Sequence, residues 1–214
     1  MTQVRFWYVE EDDKIFREMH RLKQYEVQQK WLSWYKNPYY TTEQIKQFTE
    51  NLKQGREPRE GDIINKIEEI FWTSFKQKYM IYYCVWYCSR VAGRSHPLTI
   101  CVWATKDTDV IWLTLIHELL HIKQWEWKEY NHLKNYMKYI GKKYGITDHS
   151  VVSHIILYAV MYYVCDETWL SNIYNIIKKP IKWSHKTTWE YIEEHGHKNI
   201  RKTYNEIKNG SIVI

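Results

Sequence analysis

His117, Glu118 and His121 occur in the order His-Glu-Leu-Leu-His, and these are the residues in the chain best suited to chemistry. Residues four apart on a helix lie on one face, so two imidazoles at this spacing can hold a single metal ion. The carboxylate next to the first histidine can then take a proton from a water placed between them. The reaction class this suits is hydrolysis by an activated water, with Glu118 as general base. The bland alternative is a pair of core histidines bonded to carbonyl oxygens.

The motif needs a helix, and its flanks predict one. Asp107, Thr108 and Asp109 form a capping cluster ahead of residues 110–125, which contain neither Gly nor Pro. Ile116, Leu119, Leu120 and Ile122 surround the histidines with apolar side chains, so the helix should be mostly buried. An unpartnered imidazole pair would be poorly solvated there.

A catalytic zinc takes three protein ligands and leaves one position open. His154 is the favoured third donor, because it is a polar group in the middle of the apolar segment Val151–Cys165 and needs a partner. Glu167 is the runner-up, with His149 and Asp166 behind it. His154 and Glu167 stand thirteen residues apart, about three turns plus 220° at roughly 100° per residue, so one helix cannot aim both at one ion. A core histidine bonded to a carbonyl or a tyrosine is the alternative for His154. Tyr158 and Tyr162, one and two turns further on, are candidate donors to an oxyanion.

Residues Leu113 to Gln124, LTLIHELLHIKQ, resemble the active-site helix of zincin metallopeptidases. The strands expected before this helix and the helix expected after it are similar to the small gluzincin-like proteases. The resemblance spans roughly residues 79–170, and HExxH is its specific element. It implies His117 and His121 as ligands of Zn2+, Glu118 as general base, and a peptide or protein substrate. The longer metzincin pattern is absent, since Gln124 stands where it requires Gly and Trp127 where it requires His; the gluzincin glutamate motif is absent too.

The expected fold class is α+β, mostly helical: a small antiparallel β-hairpin or sheet packed on the HExxH helix and a second helix, with flanking N- and C-terminal helices. Charged amphipathic spacing predicts a helix over 10–35. Thr41 to Gln44 start another toward Gly55, and Gly61-Asp62 a third through about Gln77. Tyr79–Cys88 and Leu98–Ala104 have strand composition and flank turn material at Val91–Pro97, which reads as a hairpin. Such a hairpin offers an edge to an extended peptide. Gly141 and Gly145 interrupt the segment after the motif, Asp148 caps the apolar helix, and a short helix pair turns at Gly196. Three regions result: an N-terminal helical region at 1–78, the zincin-like core at 79–180 and a basic helical tail at 181–214.

Composition adds bounds. The 214 residues suffice for a substantial core, and an aromatic content of 17% favours packing over disorder. The net charge of +6 is interleaved with acids except beyond Lys178, where a local basic excess allows nucleic-acid contact. A non-enzymatic helical binding protein, with an incidental or structural metal, is the competing reading. Cys84, Cys88, Cys101 and Cys165 contain no CxxC pair, which excludes a zinc ribbon; the first three lie in expected strands and should pack as small hydrophobes, with a cross-strand disulfide the alternative. The first residues have no apolar core of a signal peptide, and Val151–Cys165 falls short of the roughly 20 residues of a membrane span. A cytoplasmic location is therefore expected.

Overall fold

The protein is described from a computed structural model at residues 3–11, 41–54, 59–85, 93–95, 98–101, 108–171 and 186–212. The helix expected over 10–35 lies outside these residues except at its first two positions. So do Cys88, Pro180 and the bases Lys178, Lys179 and Lys182.

Among the described residues the chain is mostly helical with one small sheet. In order these are strand β1 (Gln3–Trp7), helices α1 (Thr42–Gln54) and α2 (Arg59–Phe71), and strands β2 (Tyr79–Val85), β3 (Gly93–Ser95) and β4 (Leu98–Cys101). Helices α3 (Thr108–Trp125), α4 (Trp127–Tyr144), α5 (His149–Asp166), α6 (Lys186–His195) and α7 (His197–Lys208) follow. Two units emerge, residues 1–61 with 77–118 and residues 62–76 with 119–214. The division falls inside the continuous helices α2 and α3.

The first unit holds the sheet, in the order β1-β2-β4-β3. Here the expected hairpin is corrected: β2 and β4 pair in parallel, with Tyr83 opposite Thr99 and Val85 opposite Cys101. The antiparallel partner of β4 is β3, with Ser95 opposite Leu98. Strand composition shows that a segment suits a pleated, half-buried surface, and it does not name the partner. The residues read as turn material include Gly93 to Ser95, and their pairing leaves β2 to meet β4 from the other side.

β1 was not anticipated, although its alternation is plain. Val4 and Phe6 are buried while Gln3, Arg5 and Trp7 are exposed, the period of a strand with one covered face. It pairs in parallel with β2, Val4 opposite Met80. Phe6 meets Trp112 of α3 edge to face at 5.5 Å. The backbone N–H of Val4 donates to the carboxylate of the buried Glu60, which occupies part of a strand edge that would otherwise be open. Among the described residues the outer strands of the sheet are β1 and β3, so an extended peptide adding to these four strands would pair with one of the two.

α1 covers β1 and β2 with Ile45, Thr49 and Leu52. Its start is a reciprocal capping box: the Thr41 N–H donates to Gln44 Oε1 at 2.8 Å and the Gln44 N–H to Thr41 Oγ1 at 3.2 Å. Cys84 is buried as a free thiol, and burial pushes its pKa up to about 12, so it packs as a small apolar residue.

In the second unit α5 is the central helix. Residues Ile155 to Met161 are all buried, as expected of a helix apolar on every side. Asp148 caps it, its side chain accepting from the N–H of Ser150 at 2.8 Å and of Val151 at 3.3 Å. α6 and α7 pack on α5, and α4 packs on α5 and α7. α4 runs through Gly141 without a break and ends at Gly145, whose φ of 71° is left-handed and whose N–H donates to the Gly141 carbonyl at 3.0 Å. A Cβ on Gly141 would approach the Ile146 carbonyl to 3.2 Å, so that glycine is set by the returning chain. Cys165 is a second buried free thiol.

α2 ends at Phe71, earlier than the expected Gln77, and Trp72 takes φ 52°. The following residues are clasped by side chains. Glu68 Oε1 accepts from the Phe75 N–H at 2.8 Å, Lys123 Nζ donates to the Ser74 carbonyl at 2.8 Å, and Glu126 Oε1 accepts from the Lys76 N–H at 3.0 Å. Among the described residues no helix is long and apolar enough to cross a membrane.

Candidate metal centre

α3 carries HExxH on an almost wholly buried rod: Ile111, Trp112, Leu113, Leu115, Ile116, Leu119 and Leu120 are all covered. His117 and His121 are half-buried on one face of it. Because they share one continuous helix, their relative position follows from the helical repeat.

The third member comes from α5. His154 is half-buried, and its ring meets that of His121 with centroids 5.1 Å apart and planes at 75°. Ligand atoms of His117, His121 and His154 all lie within 4.8 Å of one another, the one such group among the described residues. The other candidates lie elsewhere. Glu167 follows the end of α5 with its side chain half exposed and 4.0 Å from Lys66 Nζ, and His149 and Asp166 are exposed.

Two features prepare His154 for a cation. Its Nδ1–H donates to the Ser150 carbonyl at 2.8 Å, which fixes the tautomer and leaves Nε2 with its lone pair. Burial holds its pKa below the ordinary histidine value, against the opposing pull of the Ser150 carbonyl and of Asp148. The ring is thus a neutral base, the form that binds a metal.

Glu118 is 7% exposed. No hydrogen bond or ion pair holds its carboxylate among the described residues, and burial raises its pKa to about 7. A cation on the neighbouring imidazoles would pull that value back down. Three imidazoles beside a carboxylate fit a divalent, nitrogen-preferring ion such as zinc.

Tyr158 packs its buried ring against His154, centroids 5.7 Å apart, and against Trp189. Tyr162 is different: its ring stacks on His197 of α7 at 4.0 Å. Eight residues place it about 12 Å along the helix from His154, so Tyr158 alone of the two stays beside the cluster.

Sequence reasoning missed the residues that support His154. Gln124, buried at 4% exposure, donates from Nε2 to the Ser153 carbonyl at 3.2 Å. Thr188 of α6, 1% exposed, donates from Oγ1 to the Val151 carbonyl at 3.3 Å. Gln124 stands three residues after His121, on the same helical face, and that spacing was a usable signal.

The basic tail is partly committed within the chain. Arg201 lies over the Tyr163 ring at 3.8 Å, Lys208 donates to the Phe71 carbonyl, and Lys202 and Lys186 face Glu206 and Glu190 one turn on. Ile200, Tyr204 and Ile207 bury the apolar face of α7.

No protein family, curated protein or solved structure matches the chain. The functional reading therefore rests on its own residues.

Proposed function

We propose that the protein is a zinc-dependent metallopeptidase hydrolysing peptide bonds in a peptide or protein substrate. The reading is carried by the convergence of His117, His121 and His154 within 4.8 Å, next in sequence to the buried carboxylate of Glu118. Three imidazoles are a donor set of catalytic zinc sites and leave one position open.

When bound, the ion supplies a Lewis acid that makes a water easier to deprotonate and a carbonyl easier to attack. Glu118 removes the proton from the attacking water and delivers it to the departing amine nitrogen. Burial keeps His154 neutral and its hydrogen bond to Ser150 holds the ring in place, so that it neither competes for that proton nor leaves the cluster. Tyr158 is the nearest phenol by sequence and packing, and its hydroxyl is the proposed donor to the oxyanion of the tetrahedral adduct.

The test is cleavage of an unfolded protein and of a mixed fluorogenic peptide library by the full chain, first stripped of metal and then supplied with zinc. Cleavage should need zinc and should fall about 100- to 10,000-fold in Glu118→Gln, with bound zinc retained. A parental rate in Glu118→Gln, or no cleavage by chain loaded with one zinc, would overturn the reading.

A further inference from the structure

The turn that carries His154 is gripped from two sides. A carbonyl in a helix interior already accepts from the N–H four residues on, yet two successive odd positions of α5 accept an additional side-chain donor. The Ser153 carbonyl takes Nε2–H of Gln124 at 3.2 Å, from the helix that bears His117 and His121. The Val151 carbonyl takes Oγ1–H of Thr188 at 3.3 Å, from α6. Both donors are almost fully buried, where water cannot replace a lost hydrogen bond and the geometry is held tightly.

These bonds fall between Ser150, whose carbonyl fixes the His154 ring, and His154 itself. Ser153 Oγ also donates to that carbonyl, at 2.9 Å, and Asp148 caps the same turn through Ser150 and Val151. The backbone of residues 148–154 is thereby tied to α3 on one flank and to α6 on the other. Its position relative to α3 sets how closely the His154 ring approaches His121, 5.1 Å between centroids.

We infer that Gln124 and Thr188 are positioning residues for the third metal ligand, Gln124 setting the spacing between the ligand-bearing helices and Thr188 holding the far side of the turn. The inference rests on the proposed metal site, and extends it to the C-terminal helix pair. Neither residue is one of the ligands; each acts through the backbone that leads into His154. Groups that orient a ligand in this indirect way typically alter metal affinity by about 10- to 100-fold when removed.

The test is titration of the full chain with Co2+ and Zn2+ alone, read by competition with a chromophoric chelator and by the visible d–d absorption of Co2+, beside the melting temperature of the metal-free chain. Gln124→Met, which keeps length and volume without the amide, should weaken Co2+ binding at least tenfold and change the band shape, while the metal-free chain still melts cooperatively. Thr188→Val should weaken it by a smaller factor, and Thr188→Ser, which keeps the hydroxyl, should restore parental values. If Gln124→Met fails to fold, the Thr188 pair decides: Val weaker than Ser supports the inference, and Val and Ser both at parental affinity and spectrum overturn it. Parental affinity and spectrum in Gln124→Met also overturn it, and leave the metal site standing. A parental chain that binds neither ion removes the metal site and the positioning role together.

Discussion

The Nδ1–H of His154 donates to the carbonyl of Ser150, one turn earlier on α5, at 2.8 Å. One hydrogen bond settles which nitrogen of the ring is left to act. Nδ1 is occupied, Nε2 keeps its lone pair, and the ring stands 5.1 Å from that of His121. The consequences can be measured.

His154→Ala should lower zinc affinity by at least about a hundredfold, whereas Glu167→Gln should leave it unchanged, since Glu167 lies half exposed beside Lys66. Adding zinc should raise the parental melting temperature, corresponding to about 2.7 kcal/mol at a free concentration 100 times Kd. That rise should vanish in His154→Ala. Equal zinc stabilisation of the two variants would contradict the assignment.

Lys123 is wholly buried two residues after the motif, with Nζ donating to Glu126 Oε2 and to the Ser74 carbonyl, both at 2.8 Å. Removing one partner of a buried pair leaves the other charge uncompensated, so Lys123→Met should cost about 3–5 kcal/mol. Adding Glu126→Gln, which still accepts from the Lys76 N–H, should recover a large part of that loss. Urea unfolding midpoints check both; a loss below about 1 kcal/mol in the single variant would show that the pair is not held as described.

His197 stacks on Tyr162, and its pKa is lowered from 6.5 by burial, then by Arg201 and Lys198, with Asp166 opposing. A depressed base binds fewer protons folded than unfolded. Stability should therefore fall as pH drops through 6.5 toward the lower folded value, and level off below it. His197→Phe keeps a ring against Tyr162 and removes the titration, so its stability should decline less over that window. Denaturation at stepped pH on the metal-free chain measures the difference, and identical slopes would sink the assignment.

Trp72 adopts φ 52° with an exposed ring, a conformation that costs a bulky residue about 1–3 kcal/mol. Trp72→Gly should therefore unfold at equal or higher urea concentration, by up to about 1 kcal/mol after the extra chain entropy of glycine. Trp72→Val, branched at Cβ, should be less stable than the parent. Reversal of that order would mean that the tryptophan ring contributes packing beyond its cost.

Much of the helical frame was legible because its signals are local. The capping box at Thr41 and Gln44, the Asp148 cap and the glycines at 145 and 196 each act within a turn of the backbone they shape. The histidines were legible for the same reason: four residues on a helix is a fixed distance, and a lone imidazole in an apolar helix calls for a partner. Strand pairing was not, because Tyr83 meets Thr99 in parallel by virtue of the whole connection between them. β1 escaped notice because five residues give only two buried positions, Val4 and Phe6, from which to read a period. Gln124 had its spacing from His121 as a signal, whereas the hydrogen bond of Thr188 to α5 escaped because a side chain bonded to another helix's carbonyl leaves no pattern in its own neighbourhood.

β1 lies beside β2, although residues 8–78 separate them in the chain. The second unit is interrupted likewise, residues 62–76 belonging with 119–214. During synthesis the first strand must wait for Tyr79 to Val85 to leave the ribosome before it has anything to pair with, and the segment after Gly61 must wait longer still. Assembly of this kind closes long loops before it gains contacts, which slows folding. The first unit is complete once residue 118 has emerged, whereas residues 62–76 must wait for 119–214, so the sheet-bearing unit is expected to mature first and the helical unit after it.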